Sequence, residues 1–444
     1  MSTTQELVHK HFTRNFSCHL LDGGFWGAGF AALGLYTIMP GLIHEIAMRH
    51  PAIAPYQNRL ATLSGVCFFG LSQWIGFFVA GIYETKSRRL PAFLFGAAMQ
   101  RVAFFIIAPA TFFMDHIGYG PYLVLLFFAL SWYGVASGFV GPLWIDFVGR
   151  LVPVNRRGIL LGSRDALATV MSVSVLALFP VLGRHFSFPH NYGIMYTISW
   201  ALFGCSWIAL FFFKEIPYAR EDLKPRTPFS RQVRENLSIL RDDIAFRKLI
   251  IVFSVLAFAG LGNLSLITMR AMERMSLSGV AAAKFTGLVA MTVTIANAVS
   301  ILTFGYLGDR WGYKRIAFVA YGSLFLGFCT AIFASSTIAF EAAVVLSGVA
   351  GAGMTVFGIN FPLEFAPENR RPTYMALRSL CGAPFIVLPF VGGWIADTLG
   401  GATVFGIACF CIVAGLIVLA LCVSDPRRHV PPAIVSPDRE LAAD

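Results

Sequence analysis

One eleven-residue segment concentrates charge in a turn between two long apolar stretches. Residues 305–315 read Gly-Tyr-Leu-Gly-Asp-Arg-Trp-Gly-Tyr-Lys-Arg, which brings the Asp309 carboxylate, the Arg310 guanidinium and the basic pair Lys314 and Arg315 together. Such groups form charge-assisted hydrogen bonds with oppositely charged partners and with helix ends. A charged turn this short does not lie in hydrocarbon, where its polar groups find no water. It therefore predicts a membrane surface at which one helix ends and the next begins.

A second set of polar residues lies inside long apolar stretches, where ionised groups are costly and usually face a partner or a wet cavity. Each of them is therefore a candidate for lining a cavity that binds a solute or carries protons. They are Asp22, Gln73, Arg101, Arg164, Asp165, Asn263, Asn297, Asn360 and Arg378. The amides have a common second use, because Asn and Gln side chains often bridge membrane helices.

Asp22 lies in the first apolar stretch beside Gly23 and Gly27, where small residues let another helix approach closely. Two interpretations of its carboxylate stay open. A carboxylate withdrawn from water is a candidate proton carrier. Alternatively, it is the structural partner of Arg101 or Arg164.

Arg164 and Arg378 occupy equivalent positions, 214 residues apart, in two similar stretches. If both side chains point to a central axis, they suit an anionic substrate, because guanidinium binds carboxylate or phosphate through two parallel hydrogen bonds. In the competing interpretation, Arg164 pairs with Asp146 or Asp165 and Arg378 pairs with Glu364.

Composition sets the class of the protein. With 57% hydrophobic and only 13% charged residues, and a mean hydropathy of +0.70, the chain is too apolar for a soluble domain of its length. Its apolar runs approach or exceed the roughly 20 residues that a membrane helix requires. We predict twelve membrane helices, near 17–46, 58–83, 90–114, 119–147, 157–183, 192–213, 249–272, 280–308, 315–337, 339–364, 372–398 and 401–423.

The basic residues behind the formal charge of +11 are distributed unevenly between alternate loops. Odd-numbered loops carry few basic residues: Arg49, Arg59, Arg184, Arg274 and Lys284. Even-numbered loops carry most of the other basic residues, including all of those in the loop 214–248. This bias predicts an inner or plasma membrane protein with cytoplasmic even-numbered loops and both termini cytoplasmic. It argues against a nucleic-acid partner.

The two halves of the chain repeat each other. Residues 155–158, Asn-Arg-Arg-Gly, match residues 369–372, Asn-Arg-Arg-Pro, at the same offset of 214 that relates Arg164 to Arg378. A looser echo relates 81–89 to the charged turn at 305–315. The repeat predicts two related bundles of six helices each.

The charged turn resembles the signature loop of the major facilitator superfamily, with the pattern Gly-x-x-x-Asp-Arg-x-Gly-x-Lys-Arg and a departure only at Tyr313. The resemblance covers about residues 15–423. It implies an all-α membrane protein, with twelve helices in two pseudo-symmetric bundles around a central cavity. The implied organisation is a cytoplasmic N-terminus (1–16), a first bundle (17–213), a cytoplasmic linker (214–248) with an amphipathic helix near 230–247, a second bundle (249–423) and a disordered cytoplasmic tail (424–444).

The resemblance also implies a cytoplasmic gate. Asp309 would meet the start of the fifth span, including Arg157, and Glu84 would meet the start of the eleventh span, including Arg370 and Arg371. With the loop residues Gly305, Arg310, Gly312, Lys314 and Arg315, these side chains would hold the halves together on the cytoplasmic side. The alternative is that the charges only anchor the helices at the lipid headgroups.

The sequence contains no phosphate-binding loop and no hydrolase or metalloprotease motif, so we expect no enzymatic activity, no cofactor and no bound metal. The drug-antiporter and sugar-porter signatures of the family are only fragmentary here, at 179–183 and 214–217. We expect a monomeric secondary transporter for a small organic solute, with alternating access and proton coupling. The alternative is a transporter-like receptor, scaffold or lipid-moving protein without coupled transport.

Overall fold

The computed structural model describes residues 3–83, 85–153, 156–218, 238–367 and 370–424, and all regular elements within them are helical. This follows from the composition, because a backbone in hydrocarbon must satisfy its polar groups internally. The first half contains α1 Thr3–Leu33, α2 Ile38–Arg49, α3 Gln57–Tyr83, α4 Leu90–Phe112, α5 Met114–Ile117, α6 Tyr119–Leu151, α7 Arg157–Leu176, α8 Leu178–His185 and α9 His190–Leu210.

The second half contains α10 Ile244–Ala257, α11 Leu264–Arg274, α12 Gly279–Trp311, α13 Tyr313–Phe333, α14 Thr337–Phe365, α15 Arg371–Gly382, α16 Leu388–Leu399 and α17 Gly401–Cys422. Short 3-10 helices lie at Ala54–Tyr56, Phe258–Leu261 and Ala383–Val387.

These helices make twelve membrane crossings. Eleven described stretches are long and apolar enough to span a bilayer, and α3, with 27 residues, is the remaining crossing. The predicted fold class, twelve helices in two pseudo-symmetric bundles, is confirmed. We call the membrane face where α1 begins and α17 ends the terminal side, and the opposite face the far side.

Four crossings that the sequence predicted as continuous helices are interrupted. The first is split into α1 and α2 at Gly34, whose φ of +55° lies in the left-handed region that glycine tolerates. The fifth is split between α7 and α8, and the seventh and eleventh each contain one of the 3-10 helices. In the eleventh, Pro384 lies within the 3-10 helix and Pro389 is the second residue of α16, and neither has an N–H to donate.

Two predicted boundaries also change. Residues 3–16, predicted to precede the first crossing, form the first turns of α1, where the Asn15 side chain bonds Lys214 at the end of the first bundle. The amphipathic helix predicted near 230–247 lies partly outside the described residues. Within them, helix does not run through Asp243, whose side chain accepts a hydrogen bond from the N–H of Phe246 and caps α10. The linker residues 219–237 and tail residues 425–444 lie outside the described part of the chain.

Each bundle packs mainly on itself. In the first, α1 packs on α7 and α9, and α6 packs on α3 and α4. In the second, α14 packs on α12 and α13, and α17 packs on α10 and α13. The bundles meet along two seams, where α3 packs on α16 and where α12 packs on α7 and α8.

The internal repeat extends to side-chain contacts. The Arg164 guanidinium carbon lies 4.9 Å from the ring centroid of Trp144. In the second bundle, a β-carbon added to Gly358 would lie 2.8 Å from an Arg378 guanidinium nitrogen. Since Trp144 and Gly358 are themselves 214 residues apart, each arginine packs on the equivalent position of the neighbouring helix.

Candidate functional site

A cavity of about 680 Å³ lies within the first bundle and reaches the eleventh crossing. Most of its wall is apolar, with aromatic residues from four helices: Trp26, Phe68, Phe69, Trp74, Phe93, Tyr133 and Trp144. Asp22, Arg101 and Arg164 line it together, so three of the nine predicted cavity residues meet at one site. Ala376 and Ser379 of α15 close it from the second bundle.

The depth of the cavity follows from where its lining residues stand on their helices. Phe93 is three residues after the start of α4 and Arg164 is seven residues after the start of α7, and both helices start on the terminal side. At 1.5 Å per residue, these positions lie about 5 and 10 Å inside their helix ends. The cavity therefore occupies the terminal-side half of the membrane.

Ser206 of α9 joins the two buried charges of the cavity. Its hydroxyl donates to Asp22 Oδ1 at 2.7 Å and accepts from Arg101 Nη2 at 2.8 Å. Asp22 and Arg101 are 5% and 8% exposed, so both would be costly to bury without these bonds. The Ser206 hydroxyl therefore bridges Arg101 and the Asp22 carboxylate, which form no direct ion pair among the described contacts.

Arg101 is also held by its own surroundings. Its guanidinium donates to the carbonyls of Phe203 and Ala97 and to the side chain of Gln100. With the bond to Ser206, it makes four hydrogen bonds to protein. Few of its donors are left for a solute, so Arg101 is a structural anchor of the cavity wall.

Arg164 is bonded very differently. Its nearest carboxylate oxygen is Asp22 Oδ2, 3.7 Å from Nη2, which is beyond normal hydrogen-bond length. Its Nε is buried and has no hydrogen-bond partner among the described residues. Gly23 makes room for the side chain, because a β-carbon there would lie 2.0 Å from Arg164 Cγ. Of the two predicted structural partners of Asp22, Arg164 is therefore the one that forms an ion pair with it, at 3.7 Å.

Asp146 does not form an ion pair with Arg164 in the described structure. It forms an ion pair with Arg89 at 2.9 Å and accepts a hydrogen bond from the Tyr218 hydroxyl. Glu215 completes this terminal-side cluster by accepting from the backbone N–H groups that start α4. The proposed pairing of Arg164 with Asp146 is wrong because Arg89 lies closer to that carboxylate in the fold.

Arg378 lies apart from this cavity. Its guanidinium carbon is 4.7 Å from the ring centroid of Phe253, and its Nε is buried without a partner in the part of the chain that the structure describes. It lines a separate depression with Gly351 and Thr355. No ion pair joins it to Glu364 in the described part of the structure. The two arginines are equivalent by symmetry, but they line different cavities.

The other predicted cavity residues have varied surroundings. Asp165 and Asn297 line another cavity, of about 430 Å³, between the first, fifth, seventh and eighth crossings. Asn297 also bridges helices by donating to the Gly348 carbonyl at 3.4 Å. Asn263 instead caps α11, and Asn360 donates to Val356 of its own helix at 2.9 Å.

The far side of the molecule is closed by carboxylates that cross between the bundles. Asp397, near the end of α16, accepts from the backbone N–H groups of Asn58 and Arg59 at 2.9 and 3.1 Å, and from Arg59 Nε at 2.7 Å. These groups lie at the start of α3, where free N–H groups and the helix dipole favour a negative charge. Gly393 permits the approach, since a β-carbon there would lie 2.6 Å from the Asn58 carbonyl oxygen.

A second crossing contact runs the other way. Glu45 of the first bundle accepts from the backbone N–H of Gly279, the first residue of α12 in the second bundle. His44 bonds the Leu277 carbonyl at 3.1 Å. Glu273 of α11 accepts from the side chains of Gln57 and Asn58, which belong to α3. Each bundle therefore places a carboxylate at a helix start of the other.

The signature loop lies on the terminal side, as its sequence indicated. Gly312 has a φ of +88° and ends α12, and Asp309 accepts a hydrogen bond from the Tyr313 hydroxyl at 2.6 Å. Arg157 donates to the carbonyls of Gly149 and Val152 in its own bundle. The predicted contact between Asp309 and Arg157 is not among the described ion pairs, so the gate role of this loop stays a prediction.

The remaining gate residues are placed as follows. Lys314 donates to the Val423 carbonyl at 2.6 Å, which ties α13 to the end of α17. Arg310 packs on the ring of Tyr306 at 4.4 Å. Arg370 immediately precedes α15, whose first residue is Arg371. Gly305 and Arg315 lie in α12 and α13. Glu84 and the side chain of Gln73 lie outside the described residues.

Several residues of these sites escaped the sequence analysis. Ser206 gives no signal, because a serine in an apolar helix commonly bonds its own backbone. Asp397, Glu45 and Glu273 lie near predicted span ends, where acidic residues are ordinary. Their partners are at helix starts more than 200 residues away in sequence, and no local pattern encodes that contact.

Comparison with known proteins supports the recognition made from sequence. Residues 281–442 match the family model of the Major Facilitator Superfamily. A search of curated proteins finds no match.

Solved structures resemble nearly the whole chain. An auto-inhibited peptide transporter of the POT family has a TM-score of 0.68 at 12% identity, covering 94% of this chain and 98% of that one. A D-xylose-proton symporter has a TM-score of 0.65 at 14% identity, covering 94% and 99%. The nucleoside transporter NupG has a TM-score of 0.58 at 13% identity, covering 92% and 98%.

The resemblance to the Major Facilitator Superfamily is confirmed over the last five crossings by the family model, and the solved transporters share the fold of nearly the whole chain. The chain is a multi-pass membrane protein with the fold of secondary transporters.

Proposed function

We propose that this protein is a secondary active transporter that moves a small organic solute across the inner or plasma membrane by alternating access, as a monomer. The observation that carries the proposal is the charged aromatic cavity in the terminal-side half of the membrane, combined with closure of the far side by Asp397 and Glu45. A site with a closed far face is one of the two states that alternating access requires.

The terminal side is assigned to the cytoplasm in this proposal, because basic residues concentrate in the loops on that side. The structure then corresponds to an inward-facing state. Opening the far side requires the carboxylate contacts at α3 and α12 to break. In the proposed cycle, the signature loop around Asp309 closes the terminal side while the far side is open.

Proton coupling is assigned to Asp22. Among the described residues that line the cavity it is the buried carboxylate, and it accepts from the Ser206 hydroxyl at 2.7 Å and faces the Arg164 guanidinium at 3.7 Å. Protonation would remove the negative charge that faces Arg164 and free that side chain. One structural neighbour is by name a proton symporter, which supports this assignment.

The test is solute flux in proteoliposomes under an imposed proton gradient. We expect uptake driven by the gradient in the wild-type protein. Asp22→Asn is expected to abolish gradient-driven accumulation while preserving downhill exchange. Unchanged coupled flux in Asp22→Asn would remove Asp22 from the mechanism. Absence of flux for every solute that binds the purified protein would refute the transporter proposal and favour a receptor or scaffold.

A further inference from the structure

We infer that the solute is a small organic anion with an aromatic body, and that Arg164 binds its anionic group. This inference rests on the proposed function, because it names the substrate class of the same cavity. It starts from the contrast between the two guanidinium groups that line the cavity.

Arg101 makes four hydrogen bonds to protein, whereas Arg164 makes none within normal hydrogen-bond length to any described residue. A guanidinium has five N–H donors, and donors left unpaired in a partly buried site are unfavourable. The Arg164 side chain is only 15% exposed, so water satisfies it incompletely. An anion with two oxygen atoms would satisfy it through parallel bonds.

The charge of the cavity favours the same class of ligand. Among the described residues, its charged lining residues are Arg101, Arg164 and Asp22, which together carry one net positive charge. Asp22 is shared, because one oxygen accepts from Ser206 and the other faces Arg164 at 3.7 Å. A monoanion placed at Arg164 would balance the site, whereas a cation there would meet two guanidinium groups.

The cavity walls indicate the chemistry of the rest of the solute. The Arg164 guanidinium packs near the face of Trp144, and the rings of Trp26, Tyr133 and Phe69 line the same cavity. Aromatic walls bind planar apolar groups by stacking and by edge contacts. The volume of about 680 Å³ is that of a site for a drug-sized molecule. A sugar would leave most of this apolar surface without a matching partner.

The experiment measures binding to the purified full-length protein in detergent, by tryptophan fluorescence and thermal stability. The probes are 3-phenylpropionate, benzenesulfonate and phenyl phosphate, with 3-phenylpropionamide as the neutral match and propionate as the match without a ring. We expect saturable binding of at least one aromatic anion. We expect at least tenfold weaker binding of 3-phenylpropionamide and of propionate than of 3-phenylpropionate.

Variants locate the site. Arg164→Gln is expected to weaken binding of the aromatic anion by about 10- to 100-fold, the effect of losing hydrogen bonds to a charged group. Arg164→Lys keeps the charge but lacks the paired donors, so its affinity for the aromatic anion should lie between those of the wild type and Arg164→Gln. Arg184→Gln, at an exposed position in α8 of the same crossing, is the matched control and should bind as wild type. Melting temperature and gel-filtration profile establish that each variant is folded.

Three results would overturn the inference: equal binding of 3-phenylpropionamide and 3-phenylpropionate, wild-type binding by folded Arg164→Gln, or no binding by any aromatic anion. The outcome is separable from that of the proposed function. Anion binding without any flux of the bound anion, driven or downhill, would leave the inference standing and refute the transporter. Coupled flux of a neutral solute without anion binding would support the transporter and refute the inference about the anion.

Discussion

The carboxylate of Asp397 lies against the start of α3 and accepts the backbone N–H of Arg59 together with its side chain. This contact joins residues 338 positions apart in sequence and fastens the second bundle to the first on the far side. Glu45 makes the reciprocal contact at Gly279. The far-side gate thus uses helix starts as anion sites, with one acid from each bundle.

Asp397→Asn is expected to weaken this gate. An amide keeps much of the shape but loses the charge that a helix start stabilises, by up to about 2 kcal/mol, or roughly 30-fold in the open-to-closed ratio. Hydrogen exchange measured by mass spectrometry should speed up in the peptide that begins at Gln57. Asp115→Asn, at an exposed far-side acid, should leave that peptide unchanged. Unaltered exchange in Asp397→Asn would show that the carboxylate does not hold the gate.

Gly393→Ala tests the close approach of α16 to α3. The added β-carbon would lie 2.3 Å from the Thr62 hydroxyl oxygen, so the far side could close only after the helices move apart. We expect slower flux in proteoliposomes and faster exchange at the start of α3. Gly406→Ala, in α17 where a β-carbon meets no atom within 4 Å, is the control. Wild-type flux in Gly393→Ala would mean that the seam tolerates a wider spacing.

Ser206→Ala removes the hydroxyl that links Asp22 to Arg101. Both buried charges would lose a hydrogen-bond partner, which we expect to lower the free energy of unfolding by about 1–3 kcal/mol. Thermal unfolding in detergent measures the loss. Ser174→Ala should have little effect, because Ser174 is exposed and bonds only its own helix at Val170. An equally small change in the stability of Ser206→Ala would show that the Ser206 bridge does not stabilise the buried charges of Asp22 and Arg101.

Asp309→Asn addresses the predicted terminal-side gate. If the signature loop closes that side during the cycle, the variant should bind solute like the wild type but transport it several-fold more slowly. Binding and flux are measured on the same preparation. Asp242→Asn, at an exposed acid of the terminal side, controls for the loss of surface charge. Equal flux in wild type and Asp309→Asn would reduce this loop to a topological anchor.

The sequence by itself determined the class of protein, the number of crossings and the twofold repeat. These properties are local: apolar runs must be helical in lipid, and the offset of 214 between Arg164 and Arg378 is visible in the printed chain. The signature loop was recognisable for the same reason, since its charges and glycines are adjacent in sequence.

Only the tertiary structure decided which charges meet. Asp146 turned to Arg89 rather than to Arg164, and Arg101 reached Asp22 only through Ser206 of α9. The far-side acids joined helix starts in the opposite bundle. A helix presents each side chain in one direction, and a rotation or shift of a neighbouring helix changes its partner. Spacing along the chain does not encode that rotation, because it is fixed by how the two bundles pack.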